Sequence, residues 1–137
     1  MDNIITQLKT LIQSVTDVQV VYDYLPDQIS SYPAVGIKEM NFKSTYLNLG
    51  NTRREWTFLI RVFVQIVEGS EQASQKEIRA IAQGIMDKLE HKDNVKLGGA
   101  CDFTTLEEGE SRFIDAPSRM CVFDILYKAT TSFNRFS

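Results

Sequence analysis

The chain has 137 residues, 43% apolar, 24% charged and 10% aromatic, with a formal net charge of −3 and a pI of about 5.2. That is enough apolar material for one core without disulfides or metals, and the acidic balance excludes a global electrostatic attraction to nucleic acid while leaving local basic patches open. No segment approaches the roughly 20 apolar residues of a membrane-crossing helix, and the opening MDNIITQLKT, with an acid at position 2 and no small-residue cleavage site, does not read as a signal peptide.

Residues 3–15 carry Ile4, Ile5, Leu8, Leu11, Ile12 and Val15, the spacing of one apolar helical stripe, with Asp2 or Asn3 as cap. DVQVVYDY (17–24) reads as a strand, and LPDQISSYP (25–33), with two prolines, as a loop. AVGIKEM (34–40) begins a second strand. Residues 34–47 and 53–67 form the two arms of a long hairpin with its tip near Asn48–Thr52. EGSEQASQ (68–75) starts a helix, with Ser70 or Ser74 as N-cap and Ser74 with Glu77 as a capping box. That helix presents Ala73, Ile78, Ile81, Ala82, Ile85, Met86 and Leu89. VKLGGACDFTTL (95–106) is expected to be a strand interrupted by its glycine pair, EEGESRFIDAPS (107–118) an acidic loop, and RMCVFDILYKATTSF (119–133) a closing strand apolar on both faces. The order is helix, strand, strand, long strand, helix, strand, strand. It predicts an α+β fold: one mainly antiparallel curved sheet of four to five strands, two helices on one face and a projecting hairpin, all in a single domain over 1–137.

Catalytic chemistry finds little support. His91, in KLEHKDN at a helix end, is the one histidine and reads as solvent-facing. The chain contains no CxxC, no HExxH and no phosphate-binding glycine loop. Asp23, Glu39, Asp102, Asp115 and Asp124 are the acids from which a metal-dependent hydrolase would have to be built, but their spacing shows no convergence, and Asp124 is expected to pair with Arg61. Cys101 and Cys121 read as buried free thiols, with a cross-strand disulfide as the alternative. No catalytic, cofactor-binding or metal-binding residue is assigned. Basic and aromatic residues interleave in FKSTYLNLGNTRREW, which suits a protein contact or, less well for an acidic chain, single-stranded nucleic acid.

The longest strand is apolar on both faces. Trp56, Phe58, Ile60, Val62, Val64 and Ile66 point one way, toward the helices, together with Cys121, Phe123, Ile125 and Tyr127. Leu59, Phe63 and Val67 point the other way beside Met120, Val122 and Leu126, mixed with Arg61, Gln65, Asp124 and Lys128. Such a face suits a subunit interface. One helix on each face is the alternative. Fifteen residues of strand would span roughly 50 Å, against a diameter of about 37 Å for a domain of this size. The strand must bend or project, and a projecting hairpin bearing Phe42, Tyr46, Leu47 and Leu49, with Arg53 and Arg54 at its return, makes sense resting on a neighbour.

VQVVYDYLPDQISSYPAVGI, WTFLIRVFVQIVEG, AIAQGIMDKLE and the arginine-led RMCVFDILYKAT, in this order, resemble the tail-completion or tail-terminator (head-to-tail joining) proteins of long-tailed bacteriophages and prophages. The resemblance covers nearly the whole chain; the hairpin tip 41–52 and the loop 107–118 match poorly. It implies a structural virion protein, made in the bacterial host cytoplasm, that forms a homo-hexameric ring at the head-proximal end of the tail tube. Its implied partners are itself, the tail tube protein and a head-completion or connector protein, with DNA only as passing cargo, no membrane and no cofactor. Another neck-ring component such as a head–tail adaptor is the alternative. In a ring, Glu107, Glu108 and Glu110 facing the lumen would form a negative collar that repels DNA phosphates.

Overall fold

In the computed structural model, residues 2–48, 50–66, 71–114 and 120–134 are described. The elements are helix α1 (Asp2–Gln13), strands β1 (Val20–Tyr22), β2 (Ala34–Asn48) and β3 (Asn51–Gln65), helix α2 (Glu71–Glu90), a short 3-10 turn over Leu97–Gly99, and strands β4 (Phe103–Ile114) and β5 (Met120–Asn134). The five strands form one sheet in the order β1-β2-β3-β5-β4. Only the β1–β2 pair is parallel; the other three are antiparallel. The α+β class, the mainly antiparallel sheet and the element order agree with the sequence expectations.

Strand alternation divides the sheet into two faces. On the helix face, Val35, Ile37, Phe58, Ile60, Val62, Val64, Cys121, Ile125 and Tyr127 are buried in one cluster with Ile4, Leu8 and Ile12 of α1 and Ile78, Ile81, Ile85 and Leu89 of α2. Both helices therefore cover the same face, because their apolar stripes have no second apolar row of equal length to meet. The opposite face holds a smaller cluster of Ala34, Phe63, Met120 and Val122, packed against Val20, Tyr22, Ile29 and Tyr32. The 23–33 loop thus roofs one end of that face. It passes so close to Gly36 that a Cβ there would lie 2.9 Å from the Tyr24 carbonyl oxygen and 3.1 Å from Leu25 Cδ2.

Several local expectations are corrected. Ser74 is not an N-cap: it is buried inside α2, and its Oγ donates to the Gln65 carbonyl at 3.5 Å, so the proposed box with Glu77 does not form. Ser70 lies outside the described residues. The stretch 95–102 is not strand. Gly98 and Gly99 take φ of 66° and 92°, left-handed conformations that break an extended run, and β4 starts only at Phe103. The acidic segment is no loop through residue 114: it pairs with β5 from Phe103↔Thr130 to Ile114↔Met120, with a bulge at Glu107. An edge strand has one face and one edge in water, so it accommodates the glutamates that argued against a strand. The hairpin tip is shorter than expected, because β2 continues to Asn48 and β3 resumes at Asn51.

Cys101 and Cys121 are free and buried. Burial pushes the Cys101 thiol up to about 11, with the charge of Asp102 adding to the effect, and burial raises Cys121 as well. A thiol that holds its proton longer in the folded state than in the unfolded chain favours folding below its unfolded pKa of 9.0 and loses that contribution as pH rises toward about 11.

Two predictions follow from this packing. Gly36→Ala should destabilise the protein by about 1–3 kcal/mol in chemical denaturation, since the nearest obstacle to its Cβ is backbone. Stability should also fall between pH 9.0 and about 11, and denaturant titrations of Cys101→Ala should show a shallower fall across that window.

Candidate assembly surface

Beyond the helices the sheet continues as an arm. β3 stays paired to β5 as far as Asn51↔Asn134, and to β2 as far as Asn48↔Asn51. The projecting element is therefore three-stranded rather than a bare hairpin. On its helix side, Phe42 lies against Trp56 with ring centroids 5.1 Å apart, and the Trp56 Nε1–H donates to Thr131 Oγ1 at 3.3 Å. Phe42 and Tyr46 are 56% and 58% exposed, which makes this an apolar surface in water, with Met40 at the nearby β2 bulge also exposed. The side chain of Leu47, and Leu49 altogether, lie outside the described residues. Register places the arginine doublet on opposite sides: Arg53 shares a row with Thr45 and Ser132 on the face away from the helices, and Arg54 a row with Ser44 and Thr131 on the helix side.

The second face divides into two parts. Phe63, Met120 and Val122 are buried within the chain itself, beneath the 23–33 loop. Ile29 and Tyr32 were the sequence signal for that roof, hidden in a stretch whose prolines and serines read only as a connection. Leu59 and Leu126 lie beyond the roof and are half-buried cross-strand neighbours. Beside them Arg61 and Asp124 form a bidentate pair, with Nε donating to Oδ1 at 2.6 Å and Nη2 to Oδ2 at 3.1 Å. This is the pair expected from the sequence.

The three glutamates sit on the β4 edge and are exposed. Glu108 and Glu110 are in register with Leu126 and Asp124, so both belong to the open face. Glu107, at the bulge, accepts from Thr105 Oγ1 at 3.2 Å and lies 3.7 Å from Lys128 Nζ. The same face also carries Lys38 and Lys43 on β2 and Arg53 and Glu55 on β3. It is therefore not uniformly negative: lysines stand on β2, both signs on β3 and β5, and glutamates with the Arg112 position on β4.

Elsewhere, His91 lies exposed at the end of α2, its Nδ1 accepting from the Asp93 amide at 3.1 Å. Among the described residues no group of three or more His, Cys, Asp or Glu comes together to hold a metal ion, and no helix is long and apolar enough to cross a membrane.

These features define an α+β sheet protein with both helices on one face, a partly roofed second face and a three-stranded arm. The chain is similar in fold to a protein chain in the virion of a native gene transfer agent (GTA) particle: 16% sequence identity and a TM-score of 0.63, over 94% of this chain and 91% of that one. No family model and no curated protein matches the sequence.

Removing one member of the Arg61–Asp124 pair leaves the other charge half-buried. Arg61→Ala or Asp124→Ala should each cost about 1–2 kcal/mol in thermal or chemical denaturation. The double Ala variant should cost less than the sum of the two, which a double-mutant cycle reads directly.

Proposed function

We propose that this chain is a non-catalytic structural virion protein of a long-tailed phage or prophage, acting as one tail-terminator-like domain. Copies form a hexameric ring at the head-proximal end of the tail tube, end tube polymerisation and offer a surface to the head connector. The observation that carries this reading is the fold likeness to a virion chain over nearly the full length of both proteins. The sequence resemblance to tail-terminator proteins supplies the position in the particle. The exposed apolar arm supplies the need for a neighbour: Phe42 and Tyr46 lie more than half exposed.

In this reading the arm, with Phe42, Tyr46, Leu47, Leu49, Arg53 and Arg54, rests on the adjacent subunit or the tail tube. The open face, with Leu59, Leu126, Glu107, Glu108 and Glu110, turns toward the channel, and the helices face outward. Phe63, Met120 and Val122 hold the roof over that face rather than meeting a partner. DNA passes through without a binding site, kept from the wall by the glutamates.

The test is electron microscopy of tails assembled with and without the protein. A ring of this protein at the head-proximal end, and over-long tubes in its absence, are expected. Its absence from that end would overturn the reading, and binding to portal-bearing heads instead of tail tubes would assign it to another neck ring. Phe42→Ser with Tyr46→Ser should leave the folding transition within about 1 kcal/mol of wild type, since both side chains are largely solvated, and should reduce incorporation into tails.

A further inference from the structure

Among the described residues the two long edges of the sheet, on β2 and β4, pair with no further strand, and lysines stand on one and glutamates on the other. β1 covers β2 only at Ala34, Val35 and Gly36. From Lys38 to Thr45 the outer edge of β2 pairs with no other strand among the described residues, and the same holds for the outer edge of β4 along its 12 residues. A free edge presents unpaired backbone amides and carbonyls, a template for a further strand. On the open face the β2 edge carries Lys38 and Lys43, and the β4 edge carries Glu108 and Glu110, all exposed. The register aligns one lysine with one glutamate, and the β4 position of Arg112, in register with Val122, falls on the same face. One row crosses the sheet as Lys38, Leu59, Leu126, Glu108, so a lysine opens the row that a glutamate closes. Glu39, also on β2, stands at the bulge and outside this row.

We infer that the β4 edge of one copy pairs with the β2 edge of the next, head to tail, extending one sheet through successive subunits. This specifies the subunit seam of the ring proposed above and rests on that reading for its closure. Strand direction permits it. β2 and β5 run one way and β3 and β4 the other, so a copy related by rotation about a ring axis meets β4 with an antiparallel β2. The open face then stays on the same side in every subunit, and a shift of one row sets Lys38 opposite Glu110 with Lys43 diagonal to Glu108. The charges also select against the competing arrangement. A two-fold pairing of β4 with β4 centred on Gly109 sets Glu108 against Glu110, and one of β2 with β2 brings lysines beside lysines.

Two full-length variants decide the matter. The first carries Glu108→Lys and Glu110→Lys, leaving Glu107 with Lys128. The second carries Lys38→Glu and Lys43→Glu. Sedimentation at high protein concentration and low ionic strength is expected to show wild type associating, more weakly as salt is added. Each variant alone should associate about tenfold or more weakly, because its two edges now repel. An equal mixture should recover association, since each variant's edges complement the other's. Association of either variant as tight as wild type, no recovery in the mixture, salt-independent association, or a wild type that stays monomeric would each overturn the inference. The salt dependence of wild type decides it even if one variant does not fold. A ring at the tail end built equally well by both variants would sink the seam and leave the proposed function standing. Absence of the protein from the tail end would sink that function while the edge pairing of purified protein stood.

Discussion

The ladder between β3 and β5 runs without a bulge from Asn51↔Asn134 to Gln65↔Met120, and every other feature of the molecule takes its position from it. An unbroken antiparallel register keeps the side-chain alternation of both strands in phase over 15 residues. A slip of one residue on both strands would carry Phe58, Ile60, Val62, Ile125 and Tyr127 into solvent. The same slip would put Arg61 and Asp124 beneath the helices, where ionised groups cost several kcal/mol each even after relaxation. The Arg61–Asp124 pair adds modest stability in its half-exposed setting; its larger effect is to make the wrong register expensive.

With the register fixed, the placement of both helices on one face follows from where the apolar rows run full length. The other face is apolar only at one end, around Ala34, Phe63, Met120 and Val122, and there the chain supplies its own cover. Gly36 lets the 23–33 loop come down onto the sheet. Beyond that roof the face becomes amphipathic, too polar for a sealed core, with lysines toward β2, glutamates on β4 and both signs on the strands between.

Much of this was legible in the residues. The period-2 alternation of 53–65 and 120–132, the helical stripes of Ile4–Ile12 and Ile78–Leu89 and the Arg61–Asp124 pairing all appear in the sequence as they do in the fold. What was hidden depended on neighbours. Phe103–Ile114 has too many acids to announce a strand, and it becomes one because β5 offers a template along its whole length. Ser74 has the spacing of a cap, but the helix had already begun at Glu71. The 23–33 loop shows its prolines more loudly than Ile29 and Tyr32, so its role as a roof was lost. The charge distribution of the open face needs residues from four strands and cannot be seen along any one of them.

β1 is the smallest element and settles how the sheet ends. It pairs with three residues of β2 and then stops, because the chain turns away at Asp23 into the roof. A β1 long enough to run beside Lys38–Asn48 would have become the outer edge along its whole length, parallel to β2. Two edges of opposite orientation permit an indefinite series or a ring. Each long edge also carries a bulge, at Met40 and at Glu107, and bulges twist an edge and discourage indiscriminate pairing. An edge that is open, bulged and charged is protected against most strands in solution, and the strand it admits most readily carries complementary charge. The lysines of β2 and the glutamates of β4 are complementary in that sense.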